Sequence, residues 1–365
     1  MHKRTIWVHP KDSTCIQVID QRDLPHRVTI INLRRSEDAA RAIEEMWVRG
    51  APLIGATAAY GYYLACIEAE QQTDPQLYLK QRAHRLMQTR PTAINLAWAL
   101  DRMAKSLEQP LSPADMVETA FEEAGKIVEE DVIISRQIGE HGLPLLHEIA
   151  ARKPEQPINI LTHCNAGRMA TIEYGTATAP IYLAHEAGLP VHVWVDETRP
   201  RNQGAHITAW ELEKAGIPHT VIVDNMGGHL MQHGQVDICL VGTDRTTRQG
   251  DVANKIGTYL KALAAHDNEV PFYVCLPSTT IDWNLKDGLK EIPIEARSQR
   301  EVSHLKGWDE RRNVMSEIRI TPPGSPALNY GFDVTPGRYI SGLITERGIC
   351  PASEEGLLAL FPEKK

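Results

Sequence analysis

Cys164 follows the apolar run Ile158–Thr162 by two residues and leads into Asn165-Ala166-Gly167, a turn able to open a helix. A thiol at such a junction can act as a base or nucleophile, because backbone N–H groups at a helix start favour the thiolate and can also hold an anion. The same position suits a buried structural cysteine, and the residues alone leave both readings open. Asp244 comes just after the apolar run Val236–Val241 and precedes Arg245. Its carboxyl is either ionised beside that guanidinium or kept protonated by burial and available as an acid; a helix cap or a surface ion pair is the plainer alternative. Cys239 and Cys275 lie inside apolar runs, where a structural role is expected, and Cys15, Cys66 and Cys350 carry no chemical signal.

Several basic residues could meet a phosphate. Arg49-Gly50-Ala51 sets a guanidinium beside a glycine that lets backbone approach closely, Arg90-Pro91-Thr92 offers a second arginine before a helix, and Asn254-Lys255 follows Asp244 within 11 residues. Each of these alone also suits a solvated surface. No G-x-x-x-x-G-K-[ST] or G-x-G-x-x-G occurs, so nucleotide hydrolysis and standard dinucleotide binding lose support, and no G-x-S-x-G points to a serine hydrolase. His229 and His233 have metal-binding spacing, but no Glu follows His229 and Gly227-Gly228 precede the pair, so no metal is expected there.

The elements that must position these groups fall into two textures. Strand-like Thr5–Val8 and Cys15–Asp20 open the chain; Ser36 with Asp38 can cap a helix, and Gly50 and Pro52 end one helix and start the next. Helical patterns continue over 76–89, 93–107 and 113–150. The run Lys153-Pro154-Glu155-Gln156-Pro157 marks a boundary, giving a mostly helical domain with a small β element over 1–152 and an α/β domain over 153–365. In the second, the runs Ile158–Thr162, Val191–Val195, Thr220–Val223, Val236–Val241 and Phe272–Leu276 alternate with helix-like Pro180–Ala187 and Ala205–Ala215. That order predicts a parallel sheet covered on both faces, with ligand beyond the carboxyl ends of its strands. Those ends carry Cys164, Glu197-Thr198-Arg199, Asp224-Asn225, Asp244 and Ser278-Thr279.

Composition bounds the setting. With 365 residues, 42% hydrophobic and 24% charged, the chain reads as an ordinary globular protein of about two domains. A net charge of -8 gives no reason to expect nucleic-acid binding, and it means that a phosphate substrate needs a local basic pocket. No run approaches a membrane span of about 20 apolar residues, the start lacks a secretory core, and the six cysteines are scattered, so free thiols in a cytoplasmic protein are expected.

Taken together, Thr162–Gly167, Glu197–Arg201 with Gln203-Gly204-Ala205, Gly242–Arg245 with Gly250–Tyr259, Arg49–Pro52, Arg90–Ala93, Pro277–Thr279 and Phe332–Pro336 resemble the methylthioribose-1-phosphate isomerase family. The resemblance runs in order from about residue 40 to 349. It implies a Rossmann-like α/β catalytic domain after the helical one, usually in a homodimer, with no metal or organic cofactor. It places Cys164 and Asp244 at the catalytic positions and Arg49, Gly50, Ala51, Arg90, Gln203, Asn254 and Lys255 against the substrate, with Arg49, Arg90 and Lys255 as phosphate partners. The implied reaction converts 5-methylthioribose 1-phosphate to the ribulose 1-phosphate, as in methionine salvage. Arg168–Glu173, Thr246–Gln249 and Thr280-Ile281 depart from the family's usual pattern, which adds 5-deoxyribose 1-phosphate as a candidate substrate. The wider superfamily holds ribose-1,5-bisphosphate isomerases and non-catalytic regulatory subunits of initiation factor 2B, the alternative readings; retention of Cys164, Asp244 and Asn254-Lys255 favours the enzyme.

Overall fold

A computed structural model describes residues 4–90, 93–109 and 111–365; Pro91 and Thr92 of the Arg90–Ala93 motif lie outside them. The chain begins with an antiparallel sheet of β1 (Ile6–His9), β2 (Asp12–Asp20) and β3 (Thr29–Leu33). The third strand has no counterpart among the expected ones, because it is short and turns Ile30 outward, half exposed, so it shows little apolar contrast.

Helices α1 (Ser36–Glu44), α2 (Ala51–Ala69), α3 (Pro75–Met87), α4 (Ile94–Ser106) and α5 (Pro113–Arg152) follow. Ser36 is not the cap of α1: it is the first helical residue, and the Asp38 carboxylate reaches back to accept from the N–H groups of Arg34 and Arg35, each at 2.9 Å. Helix α2 is apolar on every side and buried almost throughout, as befits a helix surrounded by α1, α3, α4 and α5. Among the described residues, no helix is long and apolar enough to cross a membrane.

Beyond α5 come β4 (Ile158–Thr162), α6 (Ala179–Glu186), β5 (Val191–Asp196), α7 (Ala209–Ala215), β6 (His219–Ile222), α8 (Met226–Gln232) and β7 (Ile238–Val241). The chain then leaves the sheet through β8 (Arg245–Thr247) and β9 (Val252–Lys255) and returns by α9 (Thr258–Asp267) to β10 (Phe272–Cys275). After β11 (Ile281–Asp282), a lone hairpin of β12 (His304–Asp309) and β13 (Val314–Arg319) and strand β14 (Phe332–Thr335), β15 (Gly342–Thr345) and β16 (Gly348–Cys350) finish the main sheet. Its order is β16-β15-β10-β7-β4-β5-β6, parallel except for β16. The expected α/β architecture is thus present, extended by two strands not foreseen. Ile160, Val193, Val241 and Val274 are fully buried, so the near-continuous apolar strands are those of a sheet covered on both faces. Each such side chain contributes about 1.5–3 kcal/mol by leaving water.

Two departures bear on the site. No helix opens at Asn165–Gly167; an irregular path with one short 3-10 turn, Arg168–Ala170, runs to α6 at Ala179. The carbonyls that would start a helix ladder are already taken by side chains: Thr208 Oγ1 donates to Cys164 O at 2.7 Å and Arg49 Nη2 to Asn165 O at 2.5 Å. Likewise the expected helix Ala205–Ala215 is split, with a π-type turn over Gly204–Thr208 before α7. The excursion after β7 forms a second sheet, β11-β8-β9-β14, above the carboxyl rim. In it β11 pairs β8 through Ile281 and Thr246, so the unusual stretches 246–249 and 280–281 are neighbours in space.

Candidate active site

The carboxyl ends of β4 and β7 deliver Cys164 and Asp244 to one narrow cleft, which Arg49, Gly50, Ala51 and Asn254 also line. Strand β4 ends at Thr162, His163 follows it, and Cys164 then adopts a left-handed backbone, φ 65°. A non-glycine residue held there stores about 1–3 kcal/mol of strain, and such positions concentrate at functional sites. The thiol donates to Gln203 Oε1 at 3.2 Å. Burial pushes it above its ordinary range, opposed by the charges of Arg49 and Lys255. This reverses the expected direction: with no helix start beneath it, the thiol lacks the N–H cluster that would favour the thiolate.

Asp244 keeps a window onto the cleft, yet enough protein surrounds it that desolvation raises its carboxyl above the ordinary range against the pull of Lys255, Arg90 and Arg49. Arg245 does not reverse that, since its guanidinium lies 3.7 Å from Asp282 Oδ2. Of the two states open from sequence, the protonated one is the state this setting favours.

The cationic groups differ in how far they are committed. Arg49 donates to Asn165 Oδ1 and to Asn165 O, both at 2.5 Å. Arg90 is almost buried, and its Nε and Nη1 have no partner among the described residues; its nearest carboxylate, Glu295, is 3.9 Å away. It faces an adjoining pocket shared with Ala51 and Asp244 and walled by Ile292, Ile294 and Phe332. A guanidinium does not neutralise in proteins, so two buried free donors leave room for an anion. Lys255 does not line the cleft: its Nζ donates to Gly331 O at 2.9 Å and stands 4.5 Å over the Phe332 ring. Burial lowers its pKa, with Cys164 and Asp244 pulling the other way. The Asn254 amide donates to Thr258 Oγ1 at 3.0 Å, leaving its oxygen free to turn toward a ligand.

Gly50 explains how helix α2 reaches the site. Its φ is 90°, and a Cβ there would fall 2.4 Å from Ala170 O, so only glycine lets the turn press against the Cys164 loop. Ala51 and Pro52, the first residues of α2, a 19-residue helix, then line the same cleft as Arg49, so the helix start borders it.

A second, wider cleft lies on the far side of Arg49 and Gln203, under the β12–β13 hairpin, with Gln21, Met46, Asn202 and Met315 in its wall. The cysteine therefore sits between an inner pocket toward Arg90 and an outer one open to solvent.

His163, Asp196 and Asp224 are the His/Cys/Asp/Glu group close enough to hold a metal among the described residues. Most of their atoms already have partners: His163 Nδ1 is 2.9 Å from Asp196 Oδ2, Lys261 Nζ is 3.1 Å from the same oxygen, and both Asp224 oxygens accept backbone N–H groups, while Asp196 Oδ1 is buried without a partner among the described residues. An ammonium thus occupies the place where a cation would be wanted. The His229 and His233 rings lie against each other, centroids 4.2 Å apart and tilted by 45°.

Glu211 had no signal in the sequence, since it falls mid-pattern in a helical segment. It is buried behind the cysteine loop, accepts from Met169 N at 2.6 Å, and burial raises its carboxyl above the usual range. Thr198 and Asp224 were visible only as polar strand ends; their contacts come from the folded rim.

Comparison with known proteins places this geometry. The family model described as the initiation factor 2 subunit family matches residues 47–352. The methylthioribose-1-phosphate isomerase of Sinorhizobium medicae is 58% identical over 364 residues, covering 100% of this chain and 98% of the relative. The crystal structure of 5-methylthioribose 1-phosphate isomerase from Pyrococcus horikoshii superposes with a TM-score of 0.83 at 37% identity, covering 99% of this chain and 96% of that one. A structure described as translation initiation factor eIF-2B, subunit delta, from A. fulgidus gives 0.80 at 37% identity, with 99% and 100% covered.

Proposed function

The chain belongs to the methylthioribose-1-phosphate isomerases, within the initiation factor 2 subunit family, and from that premise we propose that Cys164 and Asp244 are the acid/base pair of the reaction. The activity is an aldose–ketose isomerisation of methylthioribose 1-phosphate. The observation that carries the assignment is the shared cleft: a buried thiol and a carboxyl held above its usual range face each other's space beside Arg49 and the α2 N-terminus.

The chemistry asks for such a pair. Phosphate on the anomeric oxygen prevents simple opening to a free aldehyde, so the ring oxygen must be protonated as its bond to C1 breaks. Hydrogen must also move from C2 to C1. A protonated Asp244 supplies the first proton. Cys164, whose thiol burial holds above its ordinary range against the pull of Arg49 and Lys255, once deprotonated takes the proton from C2, giving a phosphoenolate that is reprotonated at C1, or from the 2-hydroxyl while hydride passes from C2 to C1. Arg49 and Arg90 with Gly50 and Ala51 receive the phosphate, Lys255 bears on it through its charge from outside the cleft, and Gln203 and Asn254 contact the sugar. Run in deuterium oxide, the first route labels C1 of the ketose and the second does not. Incubation with methylthioribose 1-phosphate yields the ketose; absence of product overturns the reading.

The departures at 246–249 and 280–281 pair with one another in the small sheet, which weakens the case for 5-deoxyribose 1-phosphate as a replacement and leaves it as a second substrate to test in the same assay. We also read the protein as a cytoplasmic homodimer. Six buried free thiols suit a reducing compartment, and Val221 of the edge strand β6 and Val223 and Met226 just after it are exposed apolar residues. Sedimentation velocity tests the dimer.

A further inference from the structure

The left-handed backbone of Cys164 is not self-supporting; it is held from the neighbouring strands in sequence. Cys164 N donates to Thr198 Oγ1 at 2.7 Å, across from β4 to the end of β5. The Thr198 hydroxyl passes its own hydrogen to Asp196 O at 2.9 Å. Thr198 is itself left-handed, φ 64°, although it is β-branched and wholly buried. It is kept there from β6: Asp224 Oδ1 accepts from Thr198 N and Asp224 Oδ2 from Arg199 N, both at 2.7 Å. Lys261 of α9 then ties the far side, donating to Asp224 O and lying 3.1 Å from Asp196 Oδ2.

The same loop carries Gln203, the partner of the thiol. Gly204 seats it: a Cβ at 204 would fall 1.7 Å from Asp196 O and 3.0 Å from Thr198 Oγ1. The backbone N–H and the thiol of Cys164 are therefore both gripped by the segment 198–203, and that segment is pinned by Asp224. None of the phosphate-binding groups lies on it, since Arg49, Arg90 and Lys255 come from the region before α2, the approach to α4, and β9.

We propose that Thr198 and Asp224 are positioning residues of the isomerisation, setting the place of the Cys164 sulfur without touching the substrate. The proposal rests on the reading that Cys164 is the reacting thiol. It accounts for a threonine at a backbone conformation that disfavours it: a hydroxyl is needed to accept from one strand end and donate to another.

Four variants test this: Thr198→Ser, Thr198→Val, Asp224→Asn and Asp224→Ala. A displacement of about 1 Å at a reacting group costs about 10²-fold in rate, so Thr198→Val and Asp224→Ala are expected to lower kcat by about that factor with KM held within about threefold. Thr198→Ser keeps the hydroxyl and restores kcat; Asp224→Asn keeps one acceptor and falls between. In parallel, the pH profile of Cys164 alkylation by iodoacetamide, followed by mass spectrometry of the intact protein, shifts in Thr198→Val and Asp224→Ala and stays put in Thr198→Ser. Unchanged kcat and alkylation in Thr198→Val and Asp224→Ala overturn the proposal. So does equal loss in Thr198→Ser and Thr198→Val in step with the melting temperature, the mark of a merely structural role. If Cys164→Ser stays active, the reading of the thiol fails instead, and the alkylation profiles still report whether the cradle sets the sulfur.

Discussion

The Cys164 thiol donates to the Gln203 side-chain oxygen across 3.2 Å, an arrangement that suits the protonated sulfur. An acceptor stabilises the neutral thiol, adding to the effect of burial. Replacing Gln203 by Glu strengthens that hold with a negative charge. Gln203→Glu is therefore expected to move the alkylation profile of Cys164 to higher pH and to lower kcat/KM by about 10²-fold or more. An alkylation profile that stays in place would show that Gln203 does not govern the thiol.

Asp244 gives a pH dependence whose sign is fixed. An acid with a raised pKa is protonated below that value and loses its proton as pH rises through it, so kcat/KM has a falling alkaline limb assignable to Asp244. Stability follows the same direction. Between the ordinary carboxyl value and the raised one, the folded state binds more protons than the unfolded state, so stability falls as pH rises across that window. Asp244→Asn replaces a carboxyl whose ionised form burial penalises, and its melting temperature at neutral pH is expected to match or exceed that of the unmodified chain. A loss of several degrees would contradict the burial argument.

Arg90 holds two buried donors without partners among the described residues. Arg90→Met is expected to raise KM for the phosphorylated sugar at least about tenfold, since a lost charge-assisted bond is worth about 1.5–3 kcal/mol. Stability is expected to stay nearly level, because Glu295, 3.9 Å from Arg90, keeps its ion pair with Arg297 at 3.0 Å. Steady-state kinetics and a thermal melt check both parts. An unchanged KM would remove Arg90 from the phosphate site.

Gly50 tests the close approach of α2. Gly50→Ala puts a methyl group 2.4 Å from Ala170 O at a backbone φ of 90°, so it is expected to destabilise the fold by about 1–3 kcal/mol or more. KM for the phosphorylated sugar should rise as the helix start withdraws. Chemical denaturation gives the first quantity and kinetics the second.

The sequence carried the strand ends and therefore the rim, because apolar runs followed by polar residues mark where a parallel sheet presents its carboxyl ends. Cys164 and Asp244 were visible in that way. What was not legible depends on contacts between distant segments. The helix expected after Cys164 is absent since Arg49 and Thr208 claim the carbonyls it would need. Glu211 gives no local sign of lying against Met169, 42 residues before it. Phe332–Thr335 was recognised only as a motif; its physical role is to pair with β9, Asp333 opposite Asn254. Likewise Ser36 looked like a cap by type, while the acceptor that does the work is Asp38.

The central claim is that Cys164 and Asp244 together carry the isomerisation. The direct measurement is kcat on methylthioribose 1-phosphate for Cys164→Ser and Asp244→Asn, with folding checked by circular dichroism. Each is expected to lose about 10²–10⁴-fold in kcat while remaining folded. Near-normal turnover in either folded variant would contradict the account.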